Sequence, residues 1–260
     1  MLLRVVRKIH AHPDPHKIVC AKAGFEALYP SAQSFVYEWT DAADIHKNTR
    51  LERSRAHKKY IVQLQAALEV KYPHANVVVP TSREINSPSW NFRPTPGVLR
   101  GLRADVVVGP RRREYAAERN FPHWQRLIDS FNAIGLTVSA IGAADTSELS
   151  LSGLVHRSWD YDALDAGIEL LQNCKLAVMT DSGGAHLAVL CGAPLKIIHE
   201  RSGRRVTGRV RWYVDEMRSL ATAHCEPILY GWNEPTNVVR EAALFLEGDH
   251  RSIDTSVTTQ

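Results

Sequence analysis

The fold is decided by the stretch Leu176-Ala177-Val178-Met179-Thr180-Asp181-Ser182-Gly183-Gly184-Ala185-His186-Leu187-Ala188. It opens with an apolar run typical of a buried strand, and a second apolar run follows at Leu195-Lys196-Ile197-Ile198. Polar residues and two glycines lie between the runs, followed by residues that favour a helix. The order therefore predicts a strand, a tight turn, a short helix and a second strand.

The polar turn of this stretch has the composition of an anion-binding site. Asp181 or Ser182 can cap the helix, and Gly183 and Gly184 leave its first N–H groups uncovered by side chains. His186 follows on the first helical turn, where a histidine either serves the structure or contacts the ligand. A helix N-terminus of this kind binds anions, most often phosphate, so we expect a phosphate-sized pocket at the carboxyl end of a parallel strand.

The composition allows a globular protein and excludes several classes. The 260 residues suffice for one large or two small domains, and 44% hydrophobic with 23% charged residues is ordinary for such proteins. A net charge of +4 suits a nucleotide or phosphate ligand without requiring nucleic acid. The four cysteines form no CxxC pair, so we expect buried thiols in a reducing compartment. No apolar run approaches the roughly 20 residues of a membrane span, and the charged start does not resemble a signal peptide; we expect a cytoplasmic protein.

Strand and helix signals alternate along the chain, which predicts parallel sheets covered by helices on both faces. The first half predicts strands at 17–21, 34–39 and 76–80 and helices at 2–10, 24–30 and 50–71. The second half predicts strands at 104–109, 136–142, 176–179 and 195–198 and helices at 122–134, 162–173 and 238–246. Three prolines between 87 and 97 separate the halves. We expect an α/β protein with two Rossmann-like domains facing a cleft, at 1–97 and 98–248, and a flexible tail at 249–260.

A basic segment follows the strand expected at 104–109, at the same edge of the sheet as the glycine pair. Arginine suits phosphate because its planar fork donates two parallel hydrogen bonds. We therefore expect at least one of Arg111, Arg113 and Arg119 to face the anion. The alternative is a solvated basic loop.

A third candidate region follows the strand expected at 136–142. This strand ends in Gly142, and small residues follow, which lets a ligand approach the backbone closely. Glu148 can then bind ribose hydroxyls. The alternative is an ordinary loop in which Thr146 or Ser147 caps a helix.

These residues resemble the heptosyltransferase-like glycosyltransferases of family 9. Residues 181–188, followed by Gly192-Ala193-Pro194, look like the D-S/T-G-x-x-H-x-A…G-x-P signature of that family. The segment Arg119-Asn120-Phe121-Pro122, with Trp124, resembles the family's basic–aromatic–proline segment, in which a Lys or Arg meets the donor's phosphates. The resemblance covers residues 104–200. It implies a GT-B fold, a nucleotide-diphospho-sugar donor, and no metal or other cofactor.

The same resemblance assigns further roles. Gly142 and Glu148 look like the family's strand-end glycine and the downstream glutamate near the donor. In the first half, the family's first strand and its Gly-Asp loop, which carries the base, have no counterpart. His12-Pro13-Asp14 and the strand at 17–21 then look like the second β unit of a shortened domain. Asp14 or another acid would have to serve as the base.

The resemblance implies a metal-independent glycosyltransferase of hexosyl or heptosyl type. Arg119 would stabilise the leaving diphosphate, and the acceptor would be a saccharide, a lipid-linked glycan or a nucleic acid; peripheral association with a membrane is compatible with this set. One alternative is a nucleotide- or sugar-binding module without turnover, which the missing Gly-Asp loop favours. A second is a phage-type glycosyltransferase acting on modified nucleic acid. Another phosphoryl enzyme is the weakest reading, because the sequence has neither a Walker lysine nor a GxGxxG loop.

Overall fold

A computed structural model gives the fold. It describes residues 18–20, 26–29, 32–36, 69–70, 73, 94–112, 120–147, 149, 156–161, 163–200, 225–230 and 235–254. The chain divides into two compact units, Met1–Trp90 and Asn91–Gln260, so the division falls inside the proline-rich segment and ahead of the boundary expected after residue 97. Along the described part of the chain, no helix combines the length and the apolar character that crossing a bilayer requires.

The described part of the first unit is a small parallel pair of strands. Strands β1 (Ile18–Cys20) and β2 (Ser34–Val36) lie side by side, and the described residues between them in sequence include a 3-10 turn, Glu26–Leu28. The strands expected at 17–21 and 34–39 are confirmed, whereas the described part of the helix expected at 24–30 forms this 3-10 turn, two residues ahead of Pro30, which disfavours α-helix at the residue before it. Of the helix expected at 50–71, only 69–70 are described, and both are helical. The elements expected at 2–10 and 76–80 lie outside the described residues.

In the described residues, the second unit is built on six parallel strands, which pair in the order β5-β4-β3-β6-β7-β8. Its strands are β3 (Val106–Gly109), β4 (Val138–Ala140), β5 (His156–Arg157), β6 (Leu176–Thr180), β7 (Leu195–Glu200) and β8 (Cys225–Tyr230). From β3 the chain winds outward to β5, then returns to β6 beside β3 and winds outward to β8. The direction of winding therefore reverses between β3 and β6, which is where doubly wound sheets bind ligands.

Helices cover both faces of this sheet. They are α1 (Trp124–Ala133), α2 (Ala163–Gln172), α3 (Gly183–Cys191) and α4 (Pro235–Asp254). On one face, α1 and α4 bury Phe131 and Ala242 against Val108 and Val178 of the strands. Successive side chains of a strand point to opposite faces. Met179, which contacts the start of α3, therefore marks the other face, where α3 packs against α2.

Three features of the second unit differ from the sequence expectations. Strands β5 and β8 were not expected, and α4 is longer than the helix expected at 238–246. Residues 249–254, which belong to the flexible tail expected at 249–260, extend α4. Once a helix is nucleated, each added residue gains a backbone hydrogen bond, and Gly248 costs only about 1 kcal/mol.

A polar cluster ties the amino ends of β3, β4 and β6 together, at the edge of the sheet opposite the glycine pair. The Asp105 carboxylate accepts hydrogen bonds from the Thr137 backbone N–H at 2.8 Å and from its hydroxyl at 2.7 Å, and lies 2.9 Å from Nζ of Lys175. Partial burial alone would raise the pKa of Asp105. The bonds from Lys175 and Thr137 outweigh that effect and lower the pKa to about 2. This cluster is structural.

Three side chains of α2 bind the segment 94–102 that leads into β3. The Glu169 carboxylate is buried and accepts hydrogen bonds from two backbone N–H groups of this segment, Arg100 at 2.9 Å and Leu102 at 3.0 Å. The other two bonds run from Val98 N–H to Asp165 at 3.2 Å and from the Gln172 amide to the Pro94 carbonyl at 2.5 Å. Because α2 holds it along its length, this segment belongs to the second unit.

Candidate functional site

The N-terminus of α3 lies at the point where the winding of the sheet reverses. Ser182 occupies the N-cap position in an extended conformation, with φ −151° and ψ 172°, but its side chain makes no capping hydrogen bond. The first turn of an α-helix has no intrahelical partners for its N–H groups. Gly183 is exposed and Gly184 is half-buried, and neither residue has a side chain that could cover the N–H groups of this turn. The helix end therefore has the form that accepts an anion.

Arg111 faces this helix end from the neighbouring strand. It follows β3 in a tight turn, in which the Arg111 N–H donates to the Gly109 carbonyl at 2.8 Å, and a β-bridge pairs it with Ser147. Its Nη1 atom lies 3.9 Å from the position that a Cβ on Gly183 would occupy. The structure thus brings together Arg111 and Gly183, which are far apart in sequence, as two positive groups that one anion can bridge.

Two further glycines allow β3, β6 and α3 to meet so closely. A Cβ on Gly109 would collide with Sδ of Met179, and a Cβ on Gly184 would lie 3.3 Å from the same sulfur. Met179 is fully buried between them. A side chain at Gly109 would require the buried Met179 side chain to move, and one at Gly184 would make a tight contact with it, so both glycines serve the close packing of the backbone that carries the site.

Gly142 lies at the carboxyl end of β4, at the same edge of the sheet. Its φ of +137° is a conformation that side chains disfavour, and the residue is exposed, as are the three residues that follow. A 3-10 turn, Ala144–Thr146, leads from there to Ser147, the bridge partner of Arg111. The expected loop is therefore present. Neither Thr146 nor Ser147 caps an α-helix there, because none follows directly in the described residues.

His186 is half-buried on the first turn of α3. Loss of solvent lowers the pKa of His186 to about 4, and the Asp181 carboxylate opposes this shift only in part. The imidazole is therefore neutral at pH 7, and it can offer a ligand a hydrogen bond but no charge. Asp181 is itself half-buried, between the end of β6 and Ser182.

The aromatic residues of the basic–aromatic–proline segment lie in the core of the second unit. Phe121 and Trp124 are each 1% exposed and meet edge to face, with ring centroids 5.2 Å apart. They belong to the hydrophobic core beneath α1 and α4. Their place in the resemblance is thus structural, because both side chains are buried in the core.

Several expected site residues lie outside the described part of the chain: Asp14, Arg113, Arg119 and Glu148. Their roles remain predictions. Among the described residues, no group of three His, Cys, Asp or Glu side chains is arranged to hold a metal ion. Burial raises the pKa of Cys174 to about 12, so that thiol is not a nucleophile at neutral pH.

Sequence reasoning missed the role of Gly109, and it missed Ser158, whose hydroxyl accepts a hydrogen bond from the Gly142 N–H. Ser158 lies in a 3-10 turn directly after β5, a strand of two residues that leaves no periodic pattern. A strand ending in glycine was the signal for Gly142, and the same signal was available for Gly109 at the end of β3. Only the neighbouring Met179 side chain reveals which close approach that glycine serves.

Together the fold and the site define a doubly wound α/β protein with an anion-accepting helix end where its winding reverses. No model of a known protein family matches the sequence, and no curated protein matches it either. Among solved structures, the chain is similar to the ADP-heptose LPS heptosyltransferase II of E. coli, with a TM-score of 0.57, 17% identity, and 96% of this chain and 95% of that chain covered. A glycosyl transferase of family 9 from Veillonella parvula also matches, with a TM-score of 0.39, 12% identity, and 95% and 78% covered.

The first of these similarities confirms the fold expected from the sequence. At 17% identity it concerns the architecture alone: the chain has the α/β, GT-B-like fold of heptosyltransferase II over nearly its whole length. The resemblance to heptosyltransferase-like proteins, which rested on residues 104–200, is therefore matched by a likeness of fold that extends beyond them.

Proposed function

We propose that the chain is a glycosyltransferase that moves a sugar from a nucleotide-diphospho-sugar to an acceptor hydroxyl, without a metal ion. The observation that carries this proposal is the position of the Arg111 guanidinium, whose Nη1 lies 3.9 Å from the Cβ position of Gly183 at the start of α3. The heptosyltransferase-like fold supports it.

The chemistry is a displacement at the anomeric carbon of the donor sugar. The acceptor oxygen forms the new bond to that carbon while the bond from carbon to the diphosphate oxygen breaks, and the diphosphate leaves with the bonding electron pair. A base takes the acceptor proton; Asp14 is our candidate for it. The N–H groups at the start of α3 and the Arg111 guanidinium would stabilise the charge that develops on the diphosphate.

The charges in the site are large enough to matter. A unit charge 4 Å from another contributes about 4 kcal/mol at an effective dielectric constant of about 20, and a helix N-terminus acts as about half a charge. Most of this is offset by the cost of removing both partners from water. A net contribution of about 1.5–3 kcal/mol from Arg111 remains reasonable, because hydrogen bonds to charged groups fall in that range.

The test compares Arg111→Ala with Arg112→Ala in calorimetric titrations with nucleoside mono- and diphosphates. Arg112 is the adjacent residue and is exposed. Because each variant removes one arginine, the two variants change the net charge equally. The turn at Arg111 and its bridge to Ser147 use backbone atoms, so they survive the substitution. We expect diphosphates to bind more tightly than monophosphates, Arg111→Ala to weaken diphosphate binding about 10- to 100-fold, and Arg112→Ala to change it less than twofold.

Turnover is then measured as release of the nucleoside diphosphate from a panel of nucleotide sugars, with saccharide, lipid-linked and nucleic-acid acceptors. Transfer to one acceptor class supports the proposal and identifies the class. Binding of diphosphates without transfer or hydrolysis of any sugar donor would instead favour a binding module. Absence of diphosphate binding, or equal losses in the two arginine variants, would refute the proposal.

A further inference from the structure

A buried hydroxyl lies beneath the loop that borders the candidate site. Ser158 is 0% exposed, and its Oγ accepts a hydrogen bond from the Gly142 N–H at 3.1 Å. The same hydroxyl donates to the Gly142 carbonyl at 3.4 Å. Both backbone polar groups of Gly142 are therefore held by one side chain from the turn after β5.

Gly142 needs this restraint more than most residues would. Its φ of +137° lies in a region that glycine alone visits readily, and glycine also has the largest range of alternatives. An exposed glycine without tertiary contacts would therefore let the following residues adopt several positions. The Ser158 hydroxyl selects one backbone conformation at the start of this loop.

The loop carries that restraint to Arg111. From Gly142 the chain runs through a 3-10 turn, in which the Ser147 N–H donates to the Ala144 carbonyl at 3.3 Å. The Ser147 hydroxyl also accepts from the Leu149 N–H at 3.1 Å, which fixes the far side of the turn. Ser147 then forms the β-bridge to Arg111. A continuous series of backbone contacts thus connects Ser158 to the residue whose guanidinium faces Gly183.

We infer that Ser158 is a positioning residue for the anion site: it fixes the loop at 142–147 and, through the bridge at Ser147, the place of Arg111 beside the start of α3. Ser158 touches no ligand in this scheme. The inference rests on the proposed function for its effect on nucleotide binding, but the geometric part, that Ser158 orders this loop and the bridge, stands apart from it.

The chain offers a matched control for the test. Ser139 on β4 is also 0% exposed, and within the described part of the chain its Oγ has no hydrogen-bond partner. Ser139→Ala and Ser158→Ala therefore remove the same atom from equally buried positions, but among the described contacts only the second breaks hydrogen bonds. We expect Ser158→Ala to weaken binding of a nucleoside diphosphate about fivefold to tenfold, and Ser139→Ala to leave it within twofold.

The double variant Ser158→Ala/Arg111→Ala distinguishes a positioning role of Ser158 from a purely structural one. If Ser158 acts through Arg111, then Ser158→Ala weakens binding in the parent chain but adds less than twofold in the Arg111→Ala background. A structural residue would add its full effect in both backgrounds. Loss of thermal stability in Ser158→Ala with unchanged diphosphate affinity, or a full additional loss in the double variant, would overturn the inference.

Hydrogen exchange read by mass spectrometry decides the geometric part without any ligand. We expect faster exchange in Ser158→Ala in peptides covering 142–147 and 109–112, and no change there in Ser139→Ala. Unchanged exchange in Ser158→Ala would overturn the inference even if nucleotides bind. If the parent chain binds no diphosphate, the proposed function fails, whereas faster exchange in Ser158→Ala alone would still support the ordering role.

Discussion

A single methyl group added at Gly183 tests whether the space at the start of α3 is a binding site. Among the described residues outside its own helix turn, a Cβ there meets Nη1 of Arg111 at 3.9 Å, an ordinary van der Waals distance, and the position is exposed, so we expect the methyl to fit without displacing these groups. Alanine is the better helix former by up to about 1 kcal/mol. For a unit of this size that gain corresponds to a rise in Tm of up to about 2–4 °C.

The same methyl takes space that a bound phosphate needs. A phosphate oxygen that bridges the guanidinium and the α3 N–H groups must approach each within about 2.9 Å, and the methyl would stand between them. Displacing this oxygen forfeits one charge-assisted hydrogen bond, about 1.5–3 kcal/mol. We therefore expect Gly183→Ala to weaken nucleoside diphosphate binding about 10- to 100-fold while Tm stays level or rises.

The assay is thermal unfolding with and without a nucleoside diphosphate, supported by calorimetry. Gly184→Ala is the companion variant: its Cβ would lie 3.3 Å from Sδ of the buried Met179 and 3.5 Å from Oγ of Ser182, so we expect its Tm to fall below that of Gly183→Ala. Stability and affinity should move in opposite directions only at Gly183. Diphosphate affinity in Gly183→Ala equal to that of the parent chain would refute an anion site at this helix end.

Two further predictions concern pH and the opposite edge of the sheet. Burial lowers the pKa of His186 from 6.5 to about 4, so between these values the unfolded chain binds a proton that the folded chain does not, and the free energy of unfolding decreases as the pH falls from 6.5 to 4. His186→Gln should flatten this part of the urea-unfolding profile, and an unchanged slope would contradict the assignment. Asp105, whose pKa is lowered from 3.8 to about 2, contributes stability that is full above pH 3.8 and is lost as pH falls through 2. Asp105→Asn should reduce the free energy of unfolding at pH 7 by about 1 kcal/mol after allowance for solvent screening and leave diphosphate affinity unchanged; a loss of affinity would show that this cluster reaches the site.

Most strands of the second unit could be predicted because they are buried on both faces and therefore read as apolar runs. Strand β8 was not predicted because Pro227 interrupts its apolar run, and proline normally argues against a strand. The order of the described strands accounts for the exception: among them β8 lies at the edge, where one side needs no ladder partner. Strand β5, with two residues at the other edge, is too short to leave a pattern.

The candidate site was predictable in part. The glycine pair predicted the N-terminus of α3, because this signal depends only on neighbouring residues. Residues that follow a buried strand and begin a helix lie at the carboxyl edge of the sheet. The arginine was harder to choose, since Arg111 and its neighbours look alike in sequence. What places Arg111 beside Gly183 is the bridge to Ser147, a contact between distant segments. Ser158 had no sequence signal, because its partners are backbone atoms of Gly142 and such pairing leaves no trace in side-chain patterns.

Because α2 forms hydrogen bonds to residues 94–102, an independently expressed fragment of the second unit should begin ahead of this segment. The sequence suggests a start at residue 98, after the last proline, but this cut would remove the Pro94 carbonyl to which Gln172 donates. It would also turn the Val98 amide, which donates to Asp165, into a free amino terminus. A fragment starting at Asn91, where the second compact unit begins, keeps the hydrogen bonds of α2 to the Pro94 carbonyl and the Val98 N–H. It also keeps the Arg100 and Leu102 N–H groups that donate to Glu169.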